Sequence, residues 1–159
     1  MTIAVGSSIP AVKLKTPGPK GSADITTSEI FSGKKVVLFA VPGAFTPTCS
    51  EAHLPGFVVH APSIKAKGVD TIVCMAPNDA FVLGAWSKSQ NAEEILMLAD
   101  GSNEFAAALG LEWDARPFGL GMRCKRFAMI VEDGVVKHLA VDDKGLEKSS
   151  AEAILAVLG

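Results

Sequence analysis

The chain has 159 residues, of which 48% are hydrophobic and 20% charged, and its formal net charge is −2 at pH 7. These values fit one domain spanning residues 1–159, long enough to bury roughly 70% of the surface of its unfolded chain. Lys and Arg form no long cluster, and the apolar runs are far too short to span a bilayer. Neither nucleic acid nor a membrane is therefore expected as the main partner.

Cysteine usage and the N-terminal pattern indicate the expected compartment. The chain contains three cysteines and three histidines, and no two cysteines have Cys-x-x-Cys spacing. An odd number of cysteines in a chain of this size favours free thiols in a reducing compartment over a framework of structural disulfides. The sequence starts with neither a secretory pattern nor an Arg- and Ser-rich presequence. We therefore expect a cytoplasmic protein with no metal site and no other cofactor.

The first part of the chain predicts a peripheral hairpin followed by a central strand. Residues 1–34 are rich in Gly, Pro, Ser and Thr, and the Pro-Gly-Pro at 17–19 supplies a turn between short apolar alternations. One helical turn is expected at 28–31. Lys35–Val41 is apolar at consecutive positions, which predicts a strand buried on both faces.

Helices and buried strands alternate through the middle of the chain. Helices are predicted at about 50–66, 80–88 and 104–109, and strands at 71–75 and 95–99. Pro55 and Pro62 predict kinks in the first of these helices. Asn78-Asp79 and Asn103 are the expected N-caps of the other two.

A hairpin and a helix complete the predicted fold. Residues 113–121 are expected to form a long loop. Strands are predicted at 126–131 and 135–141, and a helix at 151–158. Asp133-Gly134 is a hairpin signal, and Ser149 or Ser150 caps the helix. Early β-α crossovers followed by an antiparallel hairpin and a helix resemble the thioredoxin architecture, an α/β fold with a central mixed sheet flanked by helices and an N-terminal extension.

Cys49 lies where an apolar strand and a proline-containing loop lead into a helix. Thr48 is the expected N-cap, and Glu51 three residues later completes a capping-box pattern. Cys49 would then occupy the first helical turn, where free backbone N–H groups and the helix dipole favour a thiolate. An ordinary thiol, with a pKa of about 8.5, is only about 3% ionised at pH 7, so a cation is needed as well.

Other residues around Cys49 and near the predicted hairpin could complete a site. Thr46 offers a hydroxyl that can donate and accept, although such a residue is also common in turns. His53 shares a helix face with Cys49, so it either transfers a proton or makes a packing or hydrogen-bonding contact. If residues 124–130 form a strand, Cys124 and Arg126 point to the same face, bringing a second sulfur near the site; the alternative is a loop or interface position.

The cysteine segment carries a family resemblance. Residues 42–49, Pro-Gly-Ala-Phe-Thr-Pro-Thr-Cys, resemble the Pro-xxx-Thr-xx-Cys signature of the peroxiredoxins, and residues 50–57 continue the pattern of the type II branch, called type V in animals. The likeness extends to 78–82, 99–101, 119–121 and 125–128.

This resemblance implies a thiol peroxidase that reduces hydrogen peroxide and alkyl hydroperoxides and serves antioxidant defence. Cys49 would be the peroxidatic thiolate and would become a sulfenic acid. Thr46 would hydrogen-bond the peroxide oxygens, and Arg126 would hold the thiolate and the developing charge. Pro42 would shield the site from water.

The resemblance also bears on the reductant and on assembly. Some relatives carry a resolving cysteine near residues 145–150, and this chain has none there. The family then implies an external thiol, glutathione with or without glutaredoxin, with thioredoxin as the alternative donor. It also implies a homodimer whose contact lies beside the active-site loops.

Two other functions use the same residues. Cys49 could belong to a peroxide-sensing or chaperone-like redox module, which would react once and stall instead of turning over. Alternatively, Cys49 and His53 could form the nucleophile and base of a hydrolase, although no orienting residue or oxyanion site is recognisable.

Overall fold

A seven-stranded mixed sheet forms the centre of the computed structural model, which describes residues 2–159. The strands are β1 Lys13–Thr16, β2 Ala23–Thr26, β3 Lys35–Ala40, β4 Thr71–Ala76, β5 Leu96–Ala99, β6 Glu112–Asp114, β7 Met122–Cys124, β8 Arg126–Glu132 and β9 Val135–Asp142. The sheet order is β2-β1-β5-β4-β3-β8-β9, and β6 pairs with β7 in a second small sheet. The β3–β4 and β4–β5 pairs are parallel and the other pairs of the large sheet antiparallel.

Helices cover both faces of this sheet. They are α1 Thr27–Phe31, α2 Leu54–Ala66, α3 Ala80–Ser89, α4 Glu104–Leu109 and α5 Ala151–Leu158. One core lies under α2, α3 and α5, and the other lies under α1 and α4. Alternate residues of β3 enter the two cores, for example Phe39 the first and Leu38 the second. This arrangement explains why the strand is apolar at consecutive positions. No helix in the described chain is long and apolar enough to cross a membrane.

Local sequence signals explain several element ends. Asp133 and Gly134 both have positive φ, 47° and 76°, as the predicted β8–β9 hairpin turn requires. The Asp79 side chain accepts from the N–H of Val82 and caps α3, and Ser150 caps α5 by accepting from Ala153. These features agree with the sequence prediction.

The start of the cysteine helix differs from the prediction. Thr48 already has helical angles and makes no side-chain capping bond, so the expected capping box with Glu51 is wrong. The backbone carbonyl of Thr46 accepts from the N–H of Ser50 at 2.9 Å, which moves the start two residues earlier. Residues Cys49–His53 then form a π-helical turn, and α2 begins at Leu54. This π-turn, a feature common at functional sites, ends before Pro55, which lies in the first turn of α2. The kinks expected at Pro55 and Pro62 stay predictions.

Three further expectations need correction. Residues 113–121 are not one long loop, because they include most of β6 and a 3₁₀ turn at Arg116–Phe118. Asn103 makes no side-chain capping bond, and the carboxylate of Asp100 instead accepts from the first backbone N–H groups of α4. Asn78 does not cap α3; its Oδ1 accepts from the N–H of Ala44 at 2.9 Å.

The N-terminal segment pairs with the outer edge of β9. The N–H of Gly6 donates to the carbonyl of Val136 at 2.8 Å, and Ile9 donates to Gly134 at 2.8 Å. In return, the N–H of Val136 donates to the carbonyl of Ser7 at 2.9 Å. The first residues thus cover the part of the edge next to the hairpin turn.

Candidate active site

Cys49 is the first residue of the π-turn and follows two helical residues, 47 and 48, which end the loop after β3. Its side chain is fully buried, and it belongs to the core under α2, α3 and α5. As predicted, the sulfur therefore occupies the first turn of a helical segment, where backbone N–H groups favour negative charge.

Arg126 supplies the cation. It begins β8, its side chain is only 9% exposed, and its Nη2 donates to Cys49 Sγ at 3.2 Å. Within residues 2–159, no carboxylate oxygen lies within 4.0 Å of this guanidinium. A buried cation without a carboxylate partner favours an ionised sulfur in contact with it.

His53 makes a hydrogen bond through each of its ring nitrogens. Nδ1 lies 2.8 Å from Arg126 Nη1, and Nε2 lies 2.9 Å from the carbonyl oxygen of Ser149. A carbonyl can only accept, so Nε2 carries the proton; an arginine can only donate, so Nδ1 is the acceptor. Burial, followed by the charge of Arg126, lowers the pKa of His53 to about 3. The ring is therefore neutral, with its one basic nitrogen already occupied.

Two phenylalanines hold the histidine ring in place. The Phe39 and Phe57 rings stack with centroids 3.9 Å apart, and the His53 ring is tilted against both, at 5.0 Å and 5.7 Å. This apolar packing excludes water from the imidazole, which is one cause of its low pKa. Of the two roles weighed for His53 in the sequence, the geometry favours the hydrogen-bonding one.

The loop at residues 42–46 is held by several hydrogen bonds. The Thr46 hydroxyl donates to the carbonyl of Gly43 at 2.6 Å, which leaves its oxygen free to accept a second hydrogen bond. Arg123 Nη1 donates to the carbonyl of Pro42 at 3.1 Å. A Cβ on Gly43 would lie 2.5 Å from Arg123 Nη1, so a larger residue there would displace the end of the Arg123 side chain. The N–H of Ala44 donates to the side chain of Asn78, which lies two residues before α3.

Comparison with known proteins identifies the family. The Redoxin family model matches residues 4–155. The rice protein Peroxiredoxin-2E-2, chloroplastic, is 47% identical over 99% of this chain and 73% of its own length. This chain belongs to the peroxiredoxins.

Solved peroxiredoxin structures have the same fold. Reduced Prx3 from Vibrio vulnificus in complex with hydrogen peroxide superimposes with a TM-score of 0.94 at 56% identity, covering 99% of this chain and 96% of that one. The 1-Cys peroxiredoxin of Plasmodium falciparum gives a TM-score of 0.92 at 30% identity, with 98% of each chain covered. The predicted thioredoxin-like fold is confirmed, and as a peroxiredoxin the chain is a thiol peroxidase of antioxidant defence.

Among the described residues, neither of the other two cysteines of this peroxiredoxin makes a hydrogen bond to Arg126. Cys124 does not continue the strand of Arg126, because β7 ends at Cys124, Lys125 leaves the sheet, and β8 starts at Arg126. The side chain of Cys124 is fully buried in the core opposite Cys49 and donates to the carbonyl of Val41 at 3.3 Å. The expectation that it shares a strand face with Arg126 is therefore wrong. Burial raises the pKa of both Cys124 and Cys74, which keeps them protonated.

Sequence reasoning missed three residues that support the site. Arg123 belongs to the short basic run at 123–126, a signal that could have been used, and Asn78 had been assigned only a capping role. Ser149 contributes its backbone carbonyl to His53. Any residue has a carbonyl, so no side-chain pattern could have indicated it.

Proposed function

We propose that Cys49 is the peroxidatic cysteine of this peroxiredoxin and that it reduces hydrogen peroxide and alkyl hydroperoxides with electrons from an external thiol. The observation that carries the proposal is the arginine bridge, in which one guanidinium donates to both Cys49 Sγ and His53 Nδ1. Because Arg126 cannot lose its proton under working conditions, this contact keeps a permanent positive charge beside the sulfur.

The chemical step requires the Cys49 sulfur and the two peroxide oxygens to lie nearly in line. The Cys49 thiolate attacks one peroxide oxygen, the S–O bond forms as the O–O bond breaks, and the leaving oxygen departs with the electron pair. That oxygen takes up a proton and leaves as water or an alcohol, and the sulfur becomes a sulfenic acid. Arg126 is suited to stabilise the developing negative charge, and the free lone pair of Thr46 to accept a hydrogen bond from the peroxide. We also propose that Pro42 shields the sulfur from water.

We further propose a one-cysteine cycle with glutathione, with or without glutaredoxin. One glutathione condenses with the sulfenic acid to give a mixed disulfide and water, and a second thiol releases the Cys49 thiol and a glutathione disulfide. Three features support it: the cysteines are unpaired, Cys124 lies in the opposite core, and residues 145–150 contain no sulfur. The Plasmodium relative is itself titled a 1-Cys peroxiredoxin.

Serine variants test the role of Cys49. Cys49→Ser is expected to lose peroxide consumption, whereas Cys74→Ser and Cys124→Ser retain it because those thiols are buried and protonated. Multiple turnovers by the wild-type protein would exclude the single-reaction redox sensor. Retained turnover in Cys49→Ser would overturn the assignment.

A donor assay tests the reductant. Steady-state peroxide consumption is measured with glutathione, with glutathione plus glutaredoxin, and with thioredoxin. The Cys74→Ser/Cys124→Ser double variant should remain active with glutathione, since no second sulfur takes part. Turnover with thioredoxin and none with glutathione would show that thioredoxin is the donor.

A Cys49–His53 hydrolase is not favoured, because the only basic nitrogen of His53 already accepts from Arg126.

We also propose a homodimer formed through the surface beside the active-site loop. Phe45, Phe118 and Met122 are 56%, 69% and 41% exposed. Arg123 links this surface to the loop, because it donates to the carbonyls of both Leu120 and Pro42. Sedimentation equilibrium of the wild type and of Phe118→Glu measures the association.

The location that we propose for the protein is the cytoplasm, where free thiols persist. Microscopy of a tagged chain tests this location.

A further inference from the structure

Asp142 is a buried carboxylate on the strand next to Arg126. It is the last residue of β9, its exposed fraction is 6%, and it pairs in register with Arg126 of β8. Its two oxygens accept four hydrogen bonds: from the N–H of Glu147 at 3.1 Å, of Lys148 at 2.9 Å and of Ser149 at 2.9 Å, and from the Ser149 hydroxyl at 2.7 Å. One side chain therefore organises the segment that leads into α5.

The charge of Asp142 is compensated by these donors alone. Burial by itself would raise the pKa of Asp142, but the hydrogen bonds from Ser149, Lys148 and Glu147 outweigh it and hold the pKa at about 2. Within residues 2–159, no Lys, Arg or His nitrogen lies within 4.0 Å of this carboxylate. An ionised carboxylate that accepts from backbone N–H groups makes strong hydrogen bonds, so the segment is firmly held.

A continuous set of contacts leads from this carboxylate to the sulfur. Asp142 holds Ser149 through both its N–H and its hydroxyl. The Ser149 carbonyl accepts from His53 Nε2, and His53 Nδ1 accepts from Arg126 Nη1. The other nitrogen of the same guanidinium, Nη2, donates to Cys49 Sγ.

We propose that Asp142 is a positioning residue for the reaction of Cys49: by holding the Ser149 carbonyl, it selects the His53 tautomer that accepts from Arg126. The inference rests on the role proposed for Cys49. If the carbonyl moves away, the ring can carry its proton on Nδ1 instead. Two donors would then face each other across the His53–Arg126 contact, and the guanidinium would turn away from the sulfur.

Asp142→Asn tests this set of contacts. The asparagine keeps one oxygen but places an NH₂ group against a backbone donor. Three quantities are measured in a Cys74→Ser/Cys124→Ser background: the His53 tautomer by nitrogen-15 NMR, the ultraviolet titration of the Cys49 thiolate, and the rate constant with hydrogen peroxide by stopped flow. We expect signal from the Nδ1–H tautomer, a thiolate midpoint at higher pH, and a rate about tenfold lower, the size of one charge-assisted hydrogen bond.

Two further variants separate positioning from stability. Asp100→Asn is the matched control, because Asp100 is also buried and accepts from two backbone N–H groups, at the start of α4. It should lower the free energy of unfolding and leave the tautomer, titration and rate unchanged. Asp142→Glu keeps the charge and both acceptors, and it should restore most of the rate lost in Asp142→Asn.

The proposal is overturned if folded Asp142→Asn has the wild-type tautomer, titration and rate. If that variant does not fold, Ser149→Ala is tested in its place. It removes the shortest of the four hydrogen bonds to Asp142 and keeps the Ser149 carbonyl. An unchanged rate and thiolate titration in Ser149→Ala also overturn the proposal. The His53 tautomer is read without peroxide. A failure of the role proposed for Cys49 can therefore be told apart from a failure of the role proposed for Asp142.

Discussion

Acid should destabilise this protein through His53. The folded ring has a pKa of about 3, because burial and Arg126 oppose its protonation, whereas an unfolded histidine has a pKa near 6.5. Between these two values the unfolded chain binds a proton that the folded chain does not. Stability is therefore full above pH 6.5 and falls as the pH drops towards 3, by about 1.4 kcal/mol per unit. From pH 7 to pH 5 the expected loss is about 2 kcal/mol.

Urea unfolding followed by far-UV circular dichroism measures this loss. The free energy of unfolding is determined at pH 7, 6 and 5 for the wild type and for His53→Gln, whose amide can still donate and accept but does not titrate. The variant should be less stable at pH 7 and should lack the steep decline. His60→Gln and His138→Gln serve as controls, because neither residue is fully buried, and they should retain the wild-type decline.

One result would refute the reasoning. If His53→Gln loses stability between pH 7 and pH 5 as steeply as the wild type, His53 does not titrate in the way its burial implies. The protonated ring would then be tolerated beside Arg126, and the His53–Arg126 contact would have to open within the folded protein. Asp142 does not confuse the measurement, because its pKa of about 2 confines its own effect to the range below about pH 4.

Three other substitutions probe single contacts. Gly43→Ala should slow the reaction with peroxide by about tenfold in stopped flow, because its Cβ would lie 2.5 Å from Arg123 Nη1 and push that nitrogen off the carbonyl of Pro42 in the loop. Ser50→Ala should cost about 1–2 kcal/mol in urea unfolding followed by tryptophan fluorescence, since it leaves the buried indole N–H of Trp86 without its 2.9 Å acceptor. Asp79→Ala should cost about 1 kcal/mol in thermal unfolding through loss of the α3 cap. A wild-type rate or stability in any one of them would contradict the role given to that contact.

The strands and the hairpin could be predicted because their signals are local. The apolar run at Lys35–Val41 reports burial on two faces, and Asp133-Gly134 matches the positive φ angles of its turn. The helix start near Cys49 could not be located to the residue. Thr46 and Thr48 have the same capping chemistry, yet Thr48 makes no capping bond and the Thr46 hydroxyl donates to the carbonyl of Gly43 instead.

The site was predictable in its parts and not in its connections. A cation near Cys49 was expected on physical grounds, and the family resemblance assigned that role to Arg126. The contact between His53 and the Ser149 carbonyl joins positions 96 residues apart, and backbone carbonyls leave no mark in a sequence. Cys124 was misplaced for a related reason: a single residue, Lys125, leaves one sheet before the next begins, and the alternation rule assumes an unbroken strand.

The N-terminal segment has a consequence for how the protein tolerates truncation. β9 is the last strand of the sheet, and an open strand edge can recruit other chains because its free N–H and C=O groups pair with any extended segment. At Gly134 and Val136 those groups are already occupied by residues 6–9. Deleting residues 2–9 would leave these backbone groups of the edge strand unpaired and open to pairing with other chains. We expect such a protein to aggregate on refolding at concentrations that the full chain tolerates.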